Sequence, residues 1–182
     1  VYKRQGDYNL YLNDPRNINL GKKLITNKKI LIEKERLKEI NETEYHEILI
    51  NHTTPYSPFD ILENKSLLLE NNFDNLNAID WDKGCYVGQE ITARMKYRGL
   101  LKKKLYALKI KSGDVLEGDE LIVDNKKIGT IVSKANSNIF AALNINFVNE
   151  IKNKNQNLVI NDSLSFDFLN WKFFSIKTYW NY

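Results

Sequence analysis

The chemistry-bearing residues of this chain concentrate in one short string, Lys83-Gly84-Cys85-Tyr86-Val87-Gly88-Gln89-Glu90, followed by Arg94 and Gly99. Cys85 is the single cysteine, and the thiolate form of a cysteine is both the nucleophile and the metal ligand. A helix N-terminus and nearby cations favour the thiolate, because both stabilise negative charge. Cys85 precedes a predicted helix, with Lys83 upstream and Arg94 and Arg98 on the helix itself. It is therefore a candidate reactive or metal-binding thiol, with Lys83 and Arg94 as the cations that would tune it. The competing reading is a small buried hydrophobe, the usual fate of a lone cysteine. Gly84 and Gly88 bracket the Cys-Tyr-Val segment and allow a positive φ or a close backbone approach at both ends, which would present Cys85 on an exposed bend. Glu90 and Arg94 stand at i,i+4 and form an ordinary surface pair.

The elements that must position this string follow from the hydrophobic pattern. Tyr8 to Asn27 reads as two short strands around the turn Asn13-Asp14-Pro15. Residues 33–51 show helical spacing at Leu37, Ile40, Tyr45, Ile48 and Leu49, with Thr43 placed to start a second piece, and Pro55 and Pro58 end helical structure. Phe59 to Ile79 reads as a buried segment followed by a short helix capped near Asn71 or Asn72. A turn at Lys83-Gly84 then leads into a helix from Gln89 to Arg98 that ends at Gly99.

Beyond Leu101 the texture changes to period-two runs at Leu105–Ile110, Leu121–Val123, Ile128–Val132, Phe140–Phe147, Leu158–Phe168 and Phe173–Tyr179. Gly113, Gly118, Asp124-Asn125 and Asn161-Asp162 punctuate them as turns. Short strands at this spacing predict a small, closed or nearly closed antiparallel barrel. The fold class is α+β, with an α+β region over residues 6–99 and a β-barrel over residues 100–182.

Composition narrows the functions. The 27 basic and 23 acidic residues leave a net charge of +4, and the one local run, Lys102-Lys103-Lys104, reads as the solvated start of a strand. With no nucleic-acid motif, no direct nucleic-acid partner is expected. One cysteine and two histidines, His46 and His52, cannot complete a structural zinc site or a four-cysteine iron–sulfur cluster, so a metal at Cys85 would be shared or transient. No apolar stretch reaches the roughly 20 residues of a membrane span. A reducing, cytoplasm-like compartment is the default that follows from one cysteine. The chain opens Val1-Tyr2-Lys3-Arg4-Gln5 without a Met, which is expected of a C-terminal fragment.

Taken together, the string K-G-C-Y-x-G-Q-E-x-x-x-R-x-x-x-x-G from Lys83 to Gly99 resembles the signature of the YgfZ family, relatives of the glycine-cleavage aminomethyltransferase. Asp14-Pro15-Arg16 with Leu20-Gly21 is similar to the family's D-P-R and L-G segment, and Leu69-Glu70 through Asp80 to its approach to the motif. The resemblance implies the C-terminal part of an aminomethyltransferase-like folate-binding domain followed by a small barrel. It implies a folate-dependent accessory protein that supports assembly or repair of iron–sulfur clusters in client enzymes, tRNA-modifying ones among them, acting through the Cys85 thiol. The implied cofactors are tetrahydrofolate or a related folate and a transient iron–sulfur cluster, with Glu70, Trp81 and Tyr86 as the folate-region residues. Trp81, Tyr86, Trp171 and Trp180 could offer stacking platforms, although buried core is the commoner role of such rings. The implied partners are iron–sulfur client or assembly proteins. The compartment it implies is the cytoplasm, or the mitochondrial matrix of a eukaryote.

Three departures qualify the likeness. Where aminomethyltransferases carry an L-R-x-E-A-G-like segment, this chain reads Ile48-Leu49-Ile50-Asn51-His52-Thr53, with Asn51 at the acidic position. The Pro of the family's P-x-E segment is missing here, where Leu68 and Leu69 precede Glu70. The family's N-terminal part, which would supply much of the folate pocket, is missing from these residues. Two other readings stay open, a tetrahydrofolate-dependent aminomethyltransferase, which Asn51 argues against, and a non-catalytic interaction module.

Overall fold

The computed structural model describes residues 9–26, 38–154, 157–160 and 163–169. Strands β1 (Asn9–Asn13) and β2 (Lys22–Thr26) pair antiparallel, Asn13 opposite Lys22, as the two-strand reading requires. The turn between them is built on Asp14. Its Oδ1 accepts from the Arg16 backbone N–H at 3.0 Å and from Nε at 2.9 Å, and its Oδ2 accepts from Nη2 at 2.7 Å. A single 3-10 turn over Ile18–Leu20 completes the connection.

Helix α1 (Glu42–Asn51) starts one residue before Thr43, because Asn41 caps it. The Asn41 side chain accepts from Glu44 N while Glu44 Oε2 accepts from Asn41 N, a capping box that satisfies two orphan N–H groups at once. The expected helical stretch before it lies partly in residues 33–37, outside the described residues, and residues 38–41 are not helical.

The run after α1 differs from the expectation. Phe59, Leu62, Leu67 and Leu68 are exposed, and the buried residues between Phe59 and Ile79 are Asp60, Leu69, Asn71, Asn72 and Leu76. Residues 71–77 are consecutive turns, not a capped helix. The physical reason is asparagine. Asn72 and Asn77 take left-handed φ values of 62° and 55°, which interrupt a right-handed helix, and the buried Asn72 Nδ2 donates to the Leu105 carbonyl at 2.7 Å. That bond commits the segment to the first strand of the barrel.

Helix α2 (Gln89–Tyr97) sits where the sequence predicts, with Arg98 as its C-cap and Gly99 at φ 61° closing it. Strands β3 (Lys103–Ser112), β4 (Glu120–Val123), β5 (Lys126–Ala135), β6 (Asn138–Asn144), β7 (Leu158–Ile160) and β8 (Leu164–Phe168) form one antiparallel sheet in the order β4-β5-β6-β3-β8-β7. Its edge strands β4 and β7 approach each other, so the sheet is a nearly closed barrel. Gly129 on β5 is required by this curvature, since a Cβ there would come within 2.5 Å of the Ala142 carbonyl oxygen and of Leu143 Cδ2.

Two readings of the barrel need correction. The strand expected over Phe140–Phe147 stops at Asn144, whose side chain accepts from Asn146 N and Phe147 N and so starts helix α3 (Ile145–Asn153). Val148 and Ile151, three apart, are the buried face of that helix. Leu158–Phe168 is a hairpin, β7 and β8, not one strand. The strand expected over Phe173–Tyr179 lies outside the described residues. Lys102 and Lys103 are exposed at the start of β3, as read.

Alternation along β3 explains why it is buried on both sides. Tyr106 and Leu108 face the barrel interior with Ile131, Ile139, Leu143 and Phe166. Leu105 and Ala107 face outward and join Phe140, Ala135 and Ile50 of α1 in a second cluster. Helix α1 thus packs on β5 and β6 from outside the barrel.

Candidate functional site

Cys85 is exposed, so the buried-hydrophobe reading does not hold. It lies in an irregular segment running from Asp80 to Gly88, in which every residue from Asp82 to Gly88 is exposed. Gly88 is the N-cap of α2 with φ 86°, a left-handed conformation, and no side chain caps the helix there. The bend before α2 therefore depends on glycine at position 88. Gly84 has no positive φ, so only one of the two bracketing glycines is used as expected.

Lys83 and Arg94 each have a neighbour of their own. Lys83 Nζ sits over the Tyr86 ring, 5.4 Å from its centroid. Arg94 Nη2 pairs with Glu90 Oε1 at 2.5 Å on the exposed face of α2, the surface pair the spacing predicts. Glu70 faces the start of β3, where its carboxylate is 3.3 Å from Lys103 Nζ and its carbonyl accepts from Leu105 N.

Beside the Cys85 loop is a shallow cavity of about 160 Å³ lined by Asp80, Trp81, Lys83, Tyr86, Gln89, Thr92, Ala93 and Tyr97. It brings together Trp81, Lys83, Tyr86 and Gln89 of the sequence candidates, and leaves Glu70, Gly84, Cys85, Gly88, Glu90 and Arg94 off its wall. Sequence reasoning missed Lys96 and Tyr97. Lys96 Nζ lies 3.7 Å from the centroid of the Trp81 ring, and the Tyr97 ring meets the indole edge-on at 6.5 Å. The available signal was their i,i+4 relation to Thr92 and Ala93, which puts them on the helix face turned to the loop. Trp171 and Trp180 lie outside the described residues.

Among the described residues no three His, Cys, Asp or Glu side chains converge as a metal-binding set. A larger cavity of about 460 Å³ lies at α3 between β4 and β7, lined by Val123, Asp124, Glu150 and Lys154 among others, and shares no residue with the motif. Asn51, the departure from the aminomethyltransferase pattern, accepts from Asn138 Nδ2 at 3.0 Å and so serves the docking of α1 on the β5–β6 turn. No helix of the described residues is long and apolar enough to cross a membrane.

With this geometry in place, comparison with known proteins points to one class, for the homologues of the chain are iron–sulfur cluster assembly factors. The chain is 35% identical over 121 residues to the iron-sulfur cluster assembly factor IBA57 homolog, mitochondrial, of Dictyostelium discoideum, covering 63% of this chain and 30% of that protein. It is 30% identical over 111 residues to iron-sulfur cluster assembly factor IBA57, mitochondrial, of Homo sapiens, covering 60% and 31%. With the mouse protein of the same name it shares 30% identity over 103 residues, covering 56% and 28%. The chain thus spans under a third of the length of these relatives. No protein-family model matches it.

Proposed function

We propose that the chain is part of an iron–sulfur cluster assembly factor that works through the Cys85 thiol, as the YgfZ-like motif implies. The observation that carries this reading is the exposure of Cys85 on the glycine-dependent bend before α2, in a chain whose homologues are named for that task. Cluster iron is the cargo. Cys85 offers it one thiolate, and a partner protein supplies the remaining ligands, since the described residues build no set of their own. Val87, fully exposed, and Ile91, 60% exposed, give an apolar contact surface beside the thiol for such a partner. Client enzymes, tRNA-modifying ones included, belong to the same proposal.

The cavity beside the motif does not fit a whole folate. A cavity of about 160 Å³ is smaller than the roughly 300–1,000 Å³ of typical small-molecule sites, and a face of Trp81 already carries the Lys96 ammonium. The mitochondrial matrix is the proposed compartment, because the relatives are named as mitochondrial and the cytoplasm-like default finds no support among them.

Rescue of iron–sulfur enzyme activity, in cells lacking their own homologue, tests the reading. The full-length protein should rescue, and its Cys85→Ala variant at matched abundance should not. Equal rescue by both would remove the thiol from the function, and rescue by neither would sink the iron–sulfur role.

A further inference from the structure

We infer that Trp81 is a positioning residue for Cys85, clasped to α2 by Lys96 and Tyr97 so that the loop between them holds one shape; this rests on the thiol function proposed above. The loop from Asp82 to Gly88 is exposed throughout, whereas the residues flanking it, Trp81 and Gln89, are half-buried. It is therefore shaped from its two ends. At the C-terminal end the Gln89 N–H donates to the Tyr86 carbonyl at 3.3 Å and Gly88 turns the chain at φ 86°. At the N-terminal end the indole of Trp81 is the anchor, with the Lys96 ammonium 3.7 Å from its centroid and the Tyr97 ring against its edge.

Both partners belong to the last turn of α2, while the loop enters its first turn. The clasp therefore folds the segment back along the full helix, and the 160 Å³ cavity is the space left beneath it. An ammonium that close to an indole face, on a half-buried lysine, is a directional contact, not chance proximity. It also gives Trp81 a task within the protein itself, because one face of its ring holds the Lys96 ammonium.

The test is backbone amide NMR of the full chain together with the alkylation rate of Cys85 by iodoacetamide. In Trp81→Ala the amides of Gly84, Cys85 and Gly88 should move to unstructured positions, and the alkylation rate should approach that of an unfolded cysteine peptide. The α2 amides should stay helical. Trp81→Phe should restore both readings, and Lys96→Met should shift them part of the way in the same direction. Rescue in cells should fall about fivefold in Trp81→Ala and recover in Trp81→Phe. Unchanged amides and alkylation in Trp81→Ala would overturn the inference. Should that variant unfold, unchanged Gly84–Gly88 amides in Lys96→Met would overturn it instead. The spectroscopic readings report on the loop even when the wild type fails to rescue, an outcome that would count only against the iron–sulfur role.

Discussion

His46 Nε2 stands 2.9 Å from Asp60 Oδ1, joining helix α1 to the loop that follows it. The same carboxylate accepts from the Ser133 hydroxyl of β5 at Oδ1 and from the Tyr56 N–H at Oδ2, 2.7 Å away. Asp60 and Ser133 are buried at 1% and 0% exposure, and the His46 ring stacks on Phe59. One carboxylate thus fastens α1, its loop and the barrel together. The order of contacts differs from a nucleophile relay, because serine and histidine both address the aspartate and not each other.

Asp60→Ala would leave the buried His46 ring nitrogen and Ser133 hydroxyl, and the part-buried Tyr56 N–H, without their acceptor. The expected loss is about 3 kcal/mol or more, against about 1 kcal/mol for Ser133→Ala. Chemical denaturation of the three proteins reads the difference. Equal stabilities would mean that α1 is held by its apolar face alone.

Arg16 beside Asp14 holds that carboxyl at about 2, below its ordinary value near 3.8, chiefly through the side-chain hydrogen bond. A depressed folded-state value means that the unfolded chain takes up the proton first. The contribution is therefore complete above about pH 4 and is lost as pH falls from there through about 2. Unfolding measured across that window should show a smaller pH dependence in Asp14→Asn than in the wild type. Parallel curves would count against the assignment.

The barrel and the motif were legible in the sequence for different reasons. Strands β3 to β6 announce themselves because apolar residues alternate and the turn at Asp124-Asn125 takes positive φ at both positions. The motif was legible because its residue types are fixed at fixed spacing, and α2 has a glycine at each end. Residues 59–79 were misread since leucines spaced as a buried segment are here largely exposed, and long-range bonds such as Asn72 to Leu105 leave no local trace. Helix α3 was missed because Phe147 continues the alternation of β6 past the Asn144 cap. The spacing of Lys96 and Tyr97 from Thr92 and Ala93 marks one helix face, but nothing local in the sequence says that Trp81 meets it, since the loop and most of α2 separate the partners.

The two glycines that bracket Cys85, Gly84 and Gly88, should separate on substitution. An alanine Cβ at either position would meet nothing within 4 Å, so only the backbone conformation distinguishes them. Gly88→Ala forces a left-handed φ on a residue with a Cβ and should cost about 1–2 kcal/mol. Gly84→Ala should lie within about 0.5 kcal/mol of the wild type. Thermal denaturation of both variants decides it, and equal effects would mean that the bend at Gly88 is not the conformation the protein holds in solution.

Cys85 supplies the sharpest contrast between stability and function. Its side chain is exposed, so Cys85→Ala removes no buried atoms and should leave stability within about 0.5 kcal/mol of the wild type, whereas truncation of a core residue such as Leu108, fully buried in the barrel, should cost about 2–5 kcal/mol. Cys85→Ser keeps the size and a hydroxyl but lacks a thiolate, so it should fail in the rescue assay as completely as alanine does. A serine variant that rescues would show that the position needs a small polar side chain and not a thiol, and the cluster-ligand role would fall with it. A destabilisation of several kcal/mol by either variant would instead mean that Cys85 is packed in solution.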